Sequence, residues 1–292
     1  MTTDKLKIAL QYALPKRLIT RLMGKFAAAE AGIFTQAFMK WFIRHYGIDM
    51  SEAVRENPRD YRTFNDFFTR YLKPELRPLL AAEPQQFALP VDGAISQFGD
   101  IVEGQIFQAK GHSYGLTALV GGDERDAAAF KEGSFATIYL APKDYHRIHM
   151  PCDGVLRKMI YVPGDLFSVN PLTAQHVPNL FARNERVVAI FDGEFGKFAM
   201  VLVGATIVAS IGTVWSGTVT PPGGPRVHQW NYLASGSQAI RLQKGEEMGH
   251  FKLGSTVVLL FPEDVLEFDN AISPEAVTRM GGVMGTLNQA QQ

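Results

Sequence analysis

The sequence predicts an α+β protein, with an N-terminal amphipathic helical region at residues 1–75 and a mainly β domain at residues 76–292. Three observations predict it. Apolar residues recur at three- and four-residue steps over the first fifty positions, which is a helical period. From Leu89 onward they gather into short β-branched runs separated by Gly, Asp-Gly and Pro-Gly. Between the two, Pro74, Pro78, Pro84 and Pro90 punctuate a stretch that reads as a linker.

The elements follow in order. Leu6, Ala9, Leu10, Ala13 and Leu14 make a first helical stripe; Pro15 restarts the helix, and Leu18, Ile19, Leu22 and Met23 continue its rows. Ile33, Phe34, Ala37, Phe38, Trp41 and Phe42 form a third, aromatic stripe. Six basic residues (Lys5, Lys7, Lys16, Arg17, Arg21, Lys25) face two acids (Asp4, Glu30) before position 31. Two readings stay open here: a helical bundle packed on its own domain, or an interfacial membrane anchor. The run of ~20 apolar residues that a span requires is missing. Thr63 can cap a further helix, with Asp66 three residues on and Phe64, Phe67, Phe68, Tyr71 and Leu72 as its stripe. Strands are expected at 135–140, 187–191, 199–203 and 256–261. Residues 198–215 carry no charge, but Gly204, Gly212 and the β-branched content fit two buried strands better than a spanning helix. Pro90-Val91-Asp92-Gly93 and Pro151-Cys152-Asp153-Gly154 share a P-x-D-G core, a faint internal echo.

Composition excludes several classes. With 292 residues, 46% of them hydrophobic, the chain buries a sizeable core and is not disordered. Lys+Arg and Asp+Glu both number 29, which argues against a basic nucleic-acid binder. One cysteine, Cys152, excludes an intramolecular disulfide and a four-thiolate zinc site. The N-terminus lacks the pattern of a cleavable signal, so the chain is expected on the cytoplasmic side.

Three segments could carry chemistry. Gly111-His112-Ser113-Tyr114-Gly115 is a formal G-x-S-x-G, so Ser113 would serve a serine hydrolase if it topped a strand-to-helix turn. His146 and His149, with Cys152, have a loose zinc-like spacing; in an extended segment the two rings would point to opposite faces. Gly254-Ser255 enters an apolar strand, and a glycine there lets the peptide adopt the geometry a serine needs to attack its own preceding carbonyl.

The combination resembles the self-processing phosphatidylserine decarboxylases. Leu253-Gly254-Ser255-Thr256, Tyr145-His146-Arg147-Ile148-His149-Met150-Pro151 and Pro90-Val91-Asp92-Gly93 carry the resemblance. It extends through residues 163–170, 181–186, 203–205 and 217–222, in order, and covers roughly residues 60–262. It implies a catalytic triad of Asp92, His149 and Ser255 that cleaves the chain between Gly254 and Ser255. The heavy fragment 1–254 and light fragment 255–292 would stay associated, and Ser255 would become a covalent pyruvoyl group (the pyruvate cofactor) and Schiff-base centre. That group supplies the electron sink for loss of CO2. His146 is implied as the group that protonates Cα or orients the carboxylate, for which a neutral-range pKa would suit it. No metal and no nucleic acid enter this chemistry. Phosphatidylserine and an anionic membrane surface are the implied partners, with a homodimer left open. The implied place is the cytoplasmic side of the inner membrane, held peripherally. A serine hydrolase using Ser113, a non-enzymatic membrane-binding protein and a soluble amino-acid decarboxylase are the rivals.

Overall fold

The computed structural model describes residues 3–206, 210–220, 226–252 and 254–288. Parts of the motifs at 217–222 and 253–256, namely Pro221, Pro222 and Leu253, therefore lie outside the described residues. The α+β class is what the structure shows: helices lead and a sheet body follows.

Three helices open the chain: α1 (Thr3–Ala13), α2 (Lys16–Ala28) and α3 (Ile33–Tyr46). Pro15 breaks α1 from α2, and α3 ends on Gly47 in the left-handed conformation that glycine adopts without a Cβ penalty. The apolar rows Leu6–Leu10 and Leu18–Leu22 face outward, and Ile33 and Phe34 are 78% and 74% exposed. The inner face of α3 is different. Met39 and Phe42 join Ala27, Ile48, Tyr61, Phe64, Phe67 and Phe68 in a buried aromatic cluster.

Helix α4 (Phe64–Phe68) begins as expected, with the Thr63 side chain accepting from the Asp66 N–H. It is one turn shorter than the stripe suggests. The Thr69 hydroxyl donates to the Asn65 carbonyl, Leu72 pairs with Ala53, and Tyr71 stays exposed. The proline-rich segment is not a free tether. Arg77 in it is buried, and Leu80 and Ala81 donate to the Gly281 carbonyl.

The body is a nine-stranded antiparallel sheet. Its path runs His228–Asn231, Gly154–Val162, Arg186–Gly193, Gly196–Val203, Ser255–Phe261, Ser134–Leu140, Gly93–Asp100 and Val277–Thr278, with Arg241–Leu242 also on Gly154–Val162. All seven residues of Ser255–Phe261 are buried, as its unbroken apolar run Val257 to Phe261 requires of a strand covered on both faces. The uncharged stretch resolves as sheet: Gly196–Val203 and Ile211–Thr213 are strands, with 207–209 outside the described residues. Both P-x-D-G motifs open long strands of this sheet, at Gly93 and at Gly154. A four-stranded sheet (Gly217–Thr218, Ile211–Thr213, Glu247–Phe251, Arg147–His149) packs beside it.

Phe64 is 1% exposed, with ring centroids 4.9 Å from Phe38 and 5.0 Å from Phe42. Phe64→Ala is expected to cost about 3–5 kcal/mol of stability. A loss of unfolding free energy in urea of under half that size would mean that the aromatic cluster repacks freely.

Candidate active site

Ser255 heads the central strand and lies opposite Leu140, the last residue of its neighbour. On the other side of that neighbour, Ala94 lies opposite Tyr139, so Asp92 stands at the same end of the sheet. At roughly 4.8 Å per strand, the backbones of Ser255 and Asp92 sit about 10 Å apart laterally. Gly93 is required between them, because a Cβ there would collide with the Tyr139 carbonyl oxygen.

The chain leaves Leu140 through a tight turn. Asp144 Oδ2 accepts the Ala141 N–H at 2.7 Å, and the Asp144 N–H donates to the Ala141 carbonyl at 2.9 Å. It then enters Arg147–His149, where the His149 N–H donates to the Pro90 carbonyl at 2.9 Å. On the far side, the Phe251 N–H donates to the His146 carbonyl at 3.0 Å. The histidine segment is thus clamped between the Asp92 turn and the strand leading to Ser255.

Both imidazoles have a fixed tautomer. A carbonyl only accepts, so each Nδ1 that faces one must carry the proton. His149 Nδ1 donates to the Gly245 carbonyl at 2.8 Å, leaving Nε2 as the basic nitrogen, 3.4 Å from the Tyr145 hydroxyl. His146 Nδ1 donates to the Asp144 carbonyl at 2.8 Å; its Nε2 is buried and has no partner among the described residues. The Phe68 ring lies 4.2 Å from the His146 ring.

Burial dominates the basicity of both. His146 is fully buried, which pushes its pKa down to about 3 against the Asp144 carbonyl bond that raises it. The expected neutral-range titration is therefore corrected: His146 is neutral across physiological pH. His149 is also lowered by burial, opposed by the Gly245 hydrogen bond and by the charges of Glu247 and Asp92.

Asp92 does not reach His149 by a hydrogen bond. Its oxygens take Arg77 Nε at 3.0 and 2.9 Å and Nη2 at 2.6 Å, and the Met280 N–H at 2.9 Å. Arg77 Nη2 also reaches Glu52 at 2.8 Å. The Gly245 carbonyl, which has no signature in sequence, orients His149 instead. Arg77 was equally hidden, since a charge in a proline-rich run reads as solvated.

Ser255 is fully buried, and its Oγ has no hydrogen-bond partner among the described residues. Gly254 before it has φ of 20°, at the edge of the left-handed region, with open space where a Cβ would stand. Ser113 is elsewhere. It is exposed on the strand His112–Gly115, opposite Phe107 in a two-stranded hairpin, so the serine-hydrolase reading fails on geometry. Among the described residues no group of three or more His, Cys, Asp or Glu could hold a metal ion.

The site thus holds a buried serine, unpartnered among the described residues, after a glycine at the edge of the left-handed region, with two imidazoles whose pKa values burial lowers at the same sheet end. The phosphatidylserine decarboxylase family model matches residues 64–286, and a second model, PSD, matches residues 6–47. The phosphatidylserine decarboxylase proenzyme of Idiomarina loihiensis is 69% identical over 288 residues, covering 99% of this chain and 98% of the relative. The proenzyme of Shewanella amazonensis is 66% identical over 279 residues, covering 95% and 97%. The chain belongs to the phosphatidylserine decarboxylase family, whose members are carboxy-lyases.

Arg77→Met leaves the Asp92 carboxylate buried without its cation, which is expected to cost about 3–5 kcal/mol. Adding Asp92→Asn should recover part of that loss in a urea melt. Equal costs for the single and double variants would mean that the pair is not coupled.

Proposed function

We propose that this chain decarboxylates phosphatidylserine to phosphatidylethanolamine after cleaving itself between Gly254 and Ser255. The observation that carries the reading is the orphaned Ser255 hydroxyl behind a left-handed glycine. His149 Nε2 takes the proton from Ser255 Oγ, and the oxygen attacks the Gly254 carbonyl carbon. The C–N bond breaks to an ester. Loss of the Ser255 Cα proton with cleavage of the Cβ–O bond then releases the Gly254 carboxylate, and addition of water to the residual dehydroalanine gives ammonia and a pyruvoyl ketone at residue 255. Asp92 acts on His149 through its charge rather than by contact. The residues fit the group: the Ser255 hydroxyl has no partner among the described residues, and nothing lies within 4 Å of where a Gly254 Cβ would stand.

The pyruvoyl ketone supplies the electron sink for the pair that CO2 leaves at Cα. His146 does the proton work. Its Nε2 has no partner among the described residues, and the substrate carboxylate beside it would raise its basicity so that it takes up a proton and delivers it to Cα, or would itself be oriented by the ring. The light fragment 255–292 stays in place because its first strand lies between two strands of the heavy fragment 1–254. We divide the chain accordingly into the helical region 1–75 and the catalytic body 76–292.

No described helix is long and apolar enough to cross a membrane. The outward rows of α1 to α3 would instead lie in the interface, with exposed Lys5, Lys7, Arg17, Arg21 and Lys25 beside them. Each basic residue near an anionic leaflet contributes about 1 kcal/mol. We therefore place the protein peripherally on the cytoplasmic face of the inner membrane.

Ser255→Ala should give one inactive chain of 32.3 kDa on a denaturing gel, where the wild type gives two. His149→Ala should block cleavage, whereas His146→Ala should cleave and lose most turnover. A Ser255→Ala protein that still releases CO2 would sink the whole scheme. Because burial lowers the His149 pKa, its basic form persists below the ordinary 6.5. The cleavage rate should stay level from pH 8 to about 6.5 and fall only in more acid solution; a fall centred above pH 7 speaks against His149 as the base. Flotation with anionic vesicles should weaken as salt rises and collapse in Ile33→Asp/Phe34→Asp. Binding indifferent to both changes would exclude this face.

A further inference from the structure

Besides Ser255 Oγ and His146 Nε2, the described residues hold a buried cation at this site, Arg70, whose donors outnumber its partners. It follows α4, and its side chain is carried into the protein until only 3% of the residue is exposed. Nη2 donates to the Lys143 carbonyl at 3.0 Å. Nε and Nη1 are buried, and neither has a partner among the described residues. The nearby carboxylates are engaged elsewhere, Asp92 by Arg77 and Asp144 by the Ala141 N–H. The Phe67 ring, 5.5 Å from the guanidinium carbon, offers only a cation–π contact. A buried guanidinium with idle donors is unfavourable unless an anion completes it.

Its position says which anion. Consecutive carbonyls of one turn hold two groups: Lys143 holds Arg70, and Asp144 holds His146. Phe68, two residues before Arg70, packs on the His146 ring. In phosphatidylserine only Cβ and one ester oxygen separate Cα from phosphorus. A group that protonates Cα and a group that grips the phosphate must therefore be close neighbours. The substrate carboxylate is the wrong ligand, because its charge departs in the transition state, and an arginine on it would favour the ground state. The phosphodiester keeps its charge throughout.

Resting on the decarboxylase reading above, we propose that Arg70 binds the headgroup phosphodiester through Nε–H and Nη1–H and so selects a phospholipid over other serine derivatives. Binding that is equal in ground and transition states shows in KM rather than kcat.

The test uses full-length, self-cleaved wild type, Arg70→Gln and Arg70→Lys. Two substrates in mixed micelles are compared: phosphatidylserine, and an O-hexadecyl serine ether that keeps the amine, carboxylate and tail but has no phosphate. Loss of the charge-assisted fork in Arg70→Gln should raise KM for phosphatidylserine at least about tenfold. Its kcat should change by less than about threefold and its KM for the ether by less than about twofold. Arg70→Lys, a point charge without the fork, should fall between. If Arg70→Gln fails to fold or cleave, the Arg70→Lys ratio decides alone. Equal KM changes for both substrates, or a lowered melting temperature with the preference intact, would make Arg70 a structural cation and overturn the proposal. A cleaved wild type without decarboxylation would overturn the functional reading itself, a result plainly different from a lost preference.

Discussion

The buried ion pair between Arg77 and Asp92 ties four distant parts of the chain to one point. Glu52 from the segment after α3, Arg77 from the proline-rich run, Asp92 just before the strand Gly93–Asp100 and the Met280 backbone all meet there. A guanidinium fork over a carboxylate stands little misalignment in a low dielectric, so it fixes the directions of the segments that present it. Asp92 is thereby turned away from His149, whose Nδ1 goes to the Gly245 carbonyl. Its negative charge still bears on His149 while its oxygens are occupied. The arrangement separates two tasks that a contacting triad combines: a neutral carbonyl orients the ring, and a fixed ion pair supports its basicity.

The helical region also builds a wall of the site. Trp41, half exposed on α3, stacks on Phe38; Phe42 packs on Phe68, and Phe68 covers His146. Beside them, Arg147 donates to the Thr69 carbonyl and stacks 3.4 Å above the Tyr71 ring. The outward apolar face and the wall of the site are therefore opposite sides of one packed aromatic layer. Close-packed interiors transmit small displacements, so movement of that outward face and order at His146 are physically linked.

Periodicity made the helices and strands legible, and the capped start of α4 could be read from Thr63 and Asp66 alone. Where α4 stops could not, because the residues after it are taken up by the Leu72–Ala53 pairing and by contacts with the 143–147 turn, 73 or more residues away. Ser255, His149, His146 and Asp92 stood out only through the joint order of their motifs; no one spacing identifies them. The tautomers and the depressed basicity of His146 depend on backbone carbonyls and on burial, neither of which has a residue type to betray it. Arg70 and Arg77 were hidden for the converse reason. Arginine usually marks solvent, and nothing in the letters tells a buried one apart.

The seven-residue strand that begins with Ser255 is threaded between two neighbours along most of its length and buried on both faces. On the proposed chemistry, that strand carries the reactive ketone at its tip. A dissociable cofactor that is damaged can be exchanged for a fresh one from solution. Here exchange would require pulling an interior strand out of a continuous sheet, which amounts to unfolding the molecule. A ketone once reduced or trapped thus ends the working life of the whole protein, and the supply of activity is renewed only by synthesis of new chains.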